Sequence, residues 1–210
     1  MRIDINSPIE PSTCTILDDT RIRSHIATIE ELSGSRLVLL AHQSRPGLED
    51  FTTLEAHSRR LAQLLGREVR YVDDVFGRAA REEIFRLRRG EVLMLENVRF
   101  CSEEIAAEVR SKPPREQAKT NLVRKLSSYV EAYVNDAFAV AHRAQPSVVA
   151  FPAVLSSYAG RLLEKEVENL TKVLESGAKP KVFSFGGAKA KDSLKVMEKL
   201  LSRGIADVVL

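Results

Sequence analysis

Four basic side chains stand where a chain of this kind can hold an anion. His42 and Arg45 follow the apolar run Leu37–Ala41 and flank the turn signal Pro46-Gly47. Arg99 follows Val92–Leu95 across Glu96, Asn97 and Val98, and Arg143 stands seven residues past Asp136, which itself follows Ala132–Val134. A further run, Arg2–Ile5, carries Asp4 and leads to Asn6. Short apolar runs of this length read as buried strands, and in parallel α/β sheets ligands sit outside the carboxyl ends of the strands. Four strand ends can therefore gather His42, Arg45, Arg99 and Arg143 around one site, with Asp4 and Asn6 beside them. Arginine meets a phosphate or carboxylate with parallel hydrogen bonds in a fixed fork, so the chemistry on offer is recognition of a small anion.

The elements that must position these groups alternate. After the first run and a Pro/Ser/Thr loop over 7–15, Asp18, Asp19 and Thr20 are cap candidates for a helix carrying Ile22, Ile26, Ile29 and Leu32 on one face and closed by Gly34. Arg21 falls in the first turn of that helix, where anions are favoured. A helix bearing Leu54, Leu61, Leu64 and Leu65 ends at Gly66. The strand Val69–Val72, a helical stretch from Gly77 to Leu87 and the strand Val92–Leu95 follow. Residues 101–114 read as a long polar connection, and a helix from about Arg115 leads to the strand Ala132–Val134. Ser147–Pro152 is a short apolar piece, and a helix from Tyr158 to Leu174 is stopped by Gly177 and Pro180. A strand over Lys181–Phe185, a helix with Leu194, Met197, Leu200 and Leu201, and the run Val208–Leu210 complete the chain. This order implies an α/β fold, a parallel sheet with helices on both faces in three layers. A linking helix and one strand-loop-helix-strand unit follow. Residues 1–157 are expected to form the anion-binding domain, 158–177 the linking helix, and 178–210 the start of a second, Rossmann-like domain.

Composition narrows the partners. The 210 residues carry a net charge of +3, with 44% hydrophobic and 29% charged residues. That mild excess fits either an ordinary solvated surface or a site for a small anion. With 6% aromatics, no Trp and no basic helix interleaved with aromatics, a nucleic-acid partner drawn by the mild basicity is only a third reading and is not expected. No run reaches the roughly 18 apolar residues of a membrane span, and the opening MRIDIN has no signal-peptide pattern, so a cytoplasmic protein is expected. Cys14 and Cys101 make no disulfide framework, and without CxxC or HExxH no metal site is expected. His25, His57 and His142 read as structural histidines, and Asp18-Asp19 and Asp73-Asp74 as caps and loop charges.

Six stretches, in order, resemble phosphoglycerate kinases, particularly the archaeal type. They are DINSPI (Asp4–Ile9), LDDTRIR (Leu17–Arg23), LLAHQSRPG (Leu39–Gly47), VLMLENVRF (Val92–Phe100), YVNDAFAVAHRAQPS (Tyr133–Ser147) and FGGAKAKDSLKVME (Phe185–Glu198). The resemblance implies a two-domain glycolytic enzyme that moves a phosphoryl group reversibly between 1,3-bisphosphoglycerate and ADP, giving 3-phosphoglycerate and ATP. Asp4, Ile5 and Asn6 then lie in the motif that meets the glycerate. His42, Gln43, Ser44, Arg45, Arg99 and Arg143 match the patch for the 3-phosphate. Arg21 matches an arginine beside the carboxyl group and the transferring phosphoryl. Gly187, Ala188 and Lys189 match the first phosphate-facing loop of the domain that takes Mg-ADP or Mg-ATP, with Arg21 and Lys189 as the catalytic pair. Such a reaction needs alignment and charge neutralisation rather than a strong base, since its acceptor is already a carboxylate.

Departures from the family pattern are few. HLGRP is here HQSRP, GTAHRAH is AVAHRAQ, and Ser193 stands where the pattern has a lysine, with Lys191 and Lys195 nearby. Members of that family are about twice as long. The chain is therefore expected to be the acceptor half of such an enzyme and inactive alone. The alternative is a truncated, non-catalytic module that binds phosphoglycerate or other small anions.

Overall fold

The computed structural model describes residues 1–186 and 190–210. Contacts divide the chain into two compact units, Met1–Lys165 and Glu166–Leu210.

In the first unit, β1 (Ile9–Glu10) and β2 (Thr15–Ile16) form a small antiparallel hairpin. The single helix expected next is two short ones, α1 (Thr20–Arg23) and α2 (Ile26–Glu31). The break at Ser24 and His25 turns the His25 ring into the interior, where it is almost wholly buried. Then come β3 (Leu37–Leu39), α3 (Glu55–Leu65), β4 (Val69–Val72), α4 (Arg78–Arg86) and β5 (Val92–Leu95). Gly66 ends α3 at φ 64°, the left-handed conformation that glycine adopts without strain. The stretch expected to be a polar connection folds into two turns of helix, α5 (Ser102–Ile105) and α6 (Ala107–Arg110). The helix expected from Arg115 is likewise divided, into α7 (Pro114–Gln117) and α8 (Asn121–Ser127). After β6 (Ala132–Asn135), a wide π-helical turn over Pro146–Ala150 leads to β7 (Ser156–Ala159). The long helix α9 (Arg161–Glu175) therefore starts three residues later than its periodicity suggests, because Tyr158 and Ala159 pair with Val134 and Asn135.

The expected first strand is shorter than its apolar run. Only its opening joins the sheet, but it does so on both sides. Arg2 N–H donates to the Val134 carbonyl at 2.8 Å and Asp136 N–H to the Arg2 carbonyl at 2.9 Å; Ile3 N–H donates to Leu40 at 3.0 Å and Leu40 N–H to Met1 at 2.9 Å. The sheet thus runs β4, β5, β3, residues 1–3, β6, β7, with every pairing parallel.

Strand alternation sends side chains to both faces. Leu93 and Leu95 pack with Ala80, Ile84 and Leu87 around α4 and with Leu122, Val123 and Leu126 of α8. Val92 and Met94 pack on the opposite side with Leu37, Leu39, Ile22, Ile29 and Leu61 of the α1–α3 layer. Each such leucine or isoleucine contributes about 1.5–3 kcal/mol by leaving water. The result is the three-layer α/β fold that the alternation implied. Because all six members are parallel, their carboxyl ends share one edge, and that edge is where the polar residues stand.

In the second unit, β8 (Val182–Phe183) and β9 (Val208–Val209) pair in parallel across α10 (Ala190–Ser202). Leu194, Leu201 and Val208 are exposed, and among the described residues Ala206 is this unit's buried apolar side chain.

Candidate functional site

The site begins where the central segment leaves the sheet. Asp4 is buried, and its Oδ1 accepts the Asn6 N–H at 3.2 Å. Its Oδ2 takes Arg21 Nη1 at 2.5 Å, so α1 delivers an arginine to the edge of the sheet although half of that side chain stays in water. Asp4 is itself held from behind. His25 Nε2 lies 2.9 Å from the Asp4 amide nitrogen, and His25 Nδ1 donates to Asp136 Oδ2 at 2.7 Å. Asp136 Oδ1 in turn accepts the N–H of Leu162 at 2.9 Å, at the start of α9. Gly160 is required there, since a Cβ would sit 2.2 Å from that oxygen. Ile5 points the other way, into the core, which leaves only its backbone for a ligand.

The β3 end supplies the loop His42–Arg45. Asn6 Oδ1 accepts the Ser44 N–H at 2.6 Å, tying this loop to the first segment. Ser44 sits at φ 53°, its Oγ donates to Asp50 Oδ1 at 2.5 Å, and its carbonyl accepts Arg99 Nη1. The Gln43 side chain is committed internally: it donates to the Ser7 carbonyl at 3.0 Å and accepts from Ser7 N at 3.0 Å and from His57 Nε2 at 3.1 Å. Gln43 therefore shapes the loop, and His57, fully buried on α3, shapes Gln43. Asn97, at the β5 end, donates to the carbonyls of Gln43 at 2.8 Å and Thr52 at 2.9 Å and accepts the Arg99 N–H at 3.1 Å.

Positive charge collects on this scaffold. Burial, then the charges of Arg2, Arg99, Arg143 and Arg21, push His42 far below the ordinary imidazole range. Arg99 is pushed down to about 10, first by burial and then by Arg143 and Arg2, with Glu104 and Asp4 offsetting part of the effect. Arg143 is half-buried beyond the β6 end, and its backbone N–H closes a turn onto Val140. Arg45 is exposed beside Ser44. Among the described residues neither Arg45 nor Arg143 has a side-chain hydrogen bond. Asp4, Asn6, Arg21, His42, Ser44, Arg99 and Arg143 thus share one neighbourhood, with Arg45 at its rim. Gly187, Ala188 and Lys189 lie outside the described residues. Four cations and a neutral imidazole with one carboxylate among them are an arrangement that can hold a polyanion.

Sequence reasoning missed two members of this neighbourhood. Arg2 and Glu104 are both fully buried, linked through Ser147, and they underlie His42. A charged residue inside an apolar run was the available signal for Arg2. Glu104 gave none, lying in a polar stretch.

A family model described as phosphoglycerate kinase matches residues 1–210. The phosphoglycerate kinases of Methanobacterium bryantii and Methanothermobacter thermautotrophicus are 52% and 53% identical to this chain over 212 residues, covering 100% of it and 51% of each relative. The chain spans about half the length of the curated relatives it matches. Among solved structures, phosphoglycerate kinase from Pyrococcus horikoshii OT3 superposes with a TM-score of 0.93 at 46% identity, covering 99% of this chain and 50% of that one. The enzyme from Coxiella burnetii superposes with a TM-score of 0.76 at 31% identity, covering 99% and 49%. Six motifs in order, a parallel sheet that superposes on theirs, and a family match along its whole length together mean that this chain belongs to the phosphoglycerate kinase family.

Proposed function

We propose that this chain carries the phosphoglycerate side of a phosphoglycerate kinase, the glycolytic transfer of a phosphoryl group between 1,3-bisphosphoglycerate and ADP. The observation that carries the reading is the set Arg21, His42, Arg45, Arg99 and Arg143 at the carboxyl edge of a parallel sheet, with Asp4 the carboxylate that touches it. In this reading Arg99, Arg143 and Arg45 grip the 3-phosphate, His42 and the Asp4–Asn6 segment orient the glycerate, and Arg21 faces the carboxyl end. Arg21 is paired with Asp4 in this structure, so it is already held at the site's edge. Hydrogen bonds to charged groups contribute roughly 1.5–3 kcal/mol each, enough for three arginines to hold a phosphate against water. The residues up to β7 form the phosphoglycerate domain. α9 leads on, and the stretch after Gly177, with Gly187, Ala188 and Lys189, opens the domain that takes Mg-ADP or Mg-ATP in the cytoplasm.

The test is thermal melting of the 210-residue chain with 3-phosphoglycerate. A ligand that binds only the folded state stabilises it by about 2.7 kcal/mol at a hundred times its Kd. Melting should rise with 3-phosphoglycerate in the wild type and stay put in Arg143→Ala, which leaves the described hydrogen-bond network intact. No rise in the wild type sinks the reading. Turnover tests the rest. ATP formation from 1,3-bisphosphoglycerate and Mg-ADP should be absent with this chain alone, because one strand-helix-strand unit offers little to align the nucleotide.

A further inference from the structure

We infer that Arg2 is a positioning residue, whose guanidinium holds His42 as the Nε2–H tautomer so that the ring meets a bound anion as an uncharged hydrogen-bond donor. This deepens the proposed function and rests on it for the identity of the anion. Arg2 Nη2 lies 3.0 Å from His42 Nδ1. A guanidinium can only donate, so Nδ1 must offer its lone pair and the ring proton must sit on Nε2. Among the described residues, Nε2 has no protein partner.

The row behind Arg2 fixes the same polarity. Arg2 Nε donates to Ser147 Oγ at 3.1 Å, and Ser147 Oγ donates to Glu104 Oε1 at 2.5 Å. Glu104 Oε2 accepts the Ser147 N–H at 2.9 Å. One end of the row is a carboxylate that only accepts and the other is a guanidinium that only donates. The serine hydroxyl between them has one possible direction. Arg2 Nη1 donates to the carbonyls of Ile3 and Leu40. Arg2 and Glu104 are each wholly removed from water, so each is the other's counter-charge.

The rival arrangement is a charged His42 paired with Asp4. Asp4 Oδ1 is 3.9 Å from Nδ1, beyond hydrogen-bond reach, and the Asp4 carboxylate is already held by Arg21 and by Asn6 N–H. The charged groups facing the ring are Arg2, Arg99, Arg143 and Arg21, against Asp4 and, through Arg2, Glu104. A fifth positive charge is not favoured there. Buried Arg2 thus supplies geometry rather than a phosphate contact, and the site's affinity is uncoupled from protonation of its histidine.

The test is nitrogen-15 long-range NMR of the histidines in the ligand-free 210-residue chain, with His42 assigned by its loss in His42→Gln. The expected result is the Nε2–H pattern, unchanged between about pH 5 and 8. An Nδ1–H pattern, or a ring that becomes charged in that range, overturns the inference. Sulfate, which stays dianionic throughout, is the probe for binding, and its affinity should be flat with pH. In Arg2→Lys, whose ammonium cannot bridge Ser147 and His42 with a planar fork, the tautomers should mix and sulfate affinity should fall roughly tenfold. An Arg2→Lys protein with the wild-type tautomer and affinity also overturns it. The wild-type spectrum decides if that variant does not fold. An Nε2–H spectrum with no response to 3-phosphoglycerate refutes the functional reading and leaves the tautomer assignment standing.

Discussion

Replacing Asp136 with asparagine changes almost no volume and should still unsettle the fold. Asp136 offers two acceptor oxygens, one to His25 Nδ1 at 2.7 Å and the other to the Leu162 N–H at 2.9 Å. An amide has one oxygen. If it stays with His25, the NH2 group faces the N–H at the start of α9. If it turns to α9, the His25 ring must move its proton to Nε2, where the Asp4 carbonyl at 3.0 Å can accept it, but the Asp4 N–H loses the acceptor now 2.9 Å away. Either way one N–H goes unmade, at about 1–3 kcal/mol, and a negative charge leaves a helix N-terminus, at about 0.3–1 kcal/mol. The expected destabilisation is about 2–3 kcal/mol, or about 4–12 °C in Tm at roughly 2–4 °C per kcal/mol for a chain of this size. Asp136→Ala, which abandons both sides, should lose more. Urea unfolding followed by circular dichroism gives the midpoints. A near-wild-type midpoint for Asp136→Asn, within about 0.5 kcal/mol, refutes the claim that both oxygens are engaged.

Burial lowers His57 from its ordinary 6.5 to about 4. The unfolded chain therefore binds that proton first on acidification. Stability from this residue is complete above pH 6.5 and is lost as pH falls from 6.5 toward 4, by about 3 kcal/mol at 1.36 kcal/mol per unit. Glu96 and Glu104, pushed up by burial, act in the opposite sense, so the wild type should be compared with His57→Gln, which should lose less across that window; equal slopes refute it. If Arg21 faces the transferring phosphoryl as proposed, Arg21→Ala in a form long enough to hold both substrates should lower kcat more than it raises KM, because charge changes most there. Unchanged kcat with a raised KM would make Arg21 a binding residue only.

How far the sequence could be read depended on what each element is held by. Val92–Leu95 was readable to the residue because a buried strand is an apolar run with polar ends, and Val69–Val72 because β-branched and aromatic residues alternate there with a polar one, only Val69 being buried. Ser156–Ala159 was not: all four residues are exposed, and the strand exists through backbone pairing with β6, which leaves no alternation to see. Periodicity placed Ile22 and Ile29 on one face but could not reveal the break at His25. That break is set by Asp136, 111 residues away. The short helices over 102–110 carry too few apolar positions to show a period. The candidate site residues His42, Arg99 and Arg143 were visible as basic residue types after apolar runs. That Arg2 and Glu104 are buried partners was not, since burying a charge depends on a partner that folding brings from across the chain, here by way of Ser147.

The central place of residues 1–3 bears on how the chain is made. Their pairing with Leu40 can form early, but their other neighbour is Asn135, 95 positions further on. At roughly 5–20 residues per second of synthesis, that flank stays open for about 5–20 seconds on the ribosome. An unpaired flank in the middle of a future sheet is the feature that other unfinished chains can join. Nascent-chain chaperones are therefore expected to engage most strongly between the emergence of β3 and that of β6. Slowed translation over 41–131 should cost soluble yield, while the same delay after β7 should not.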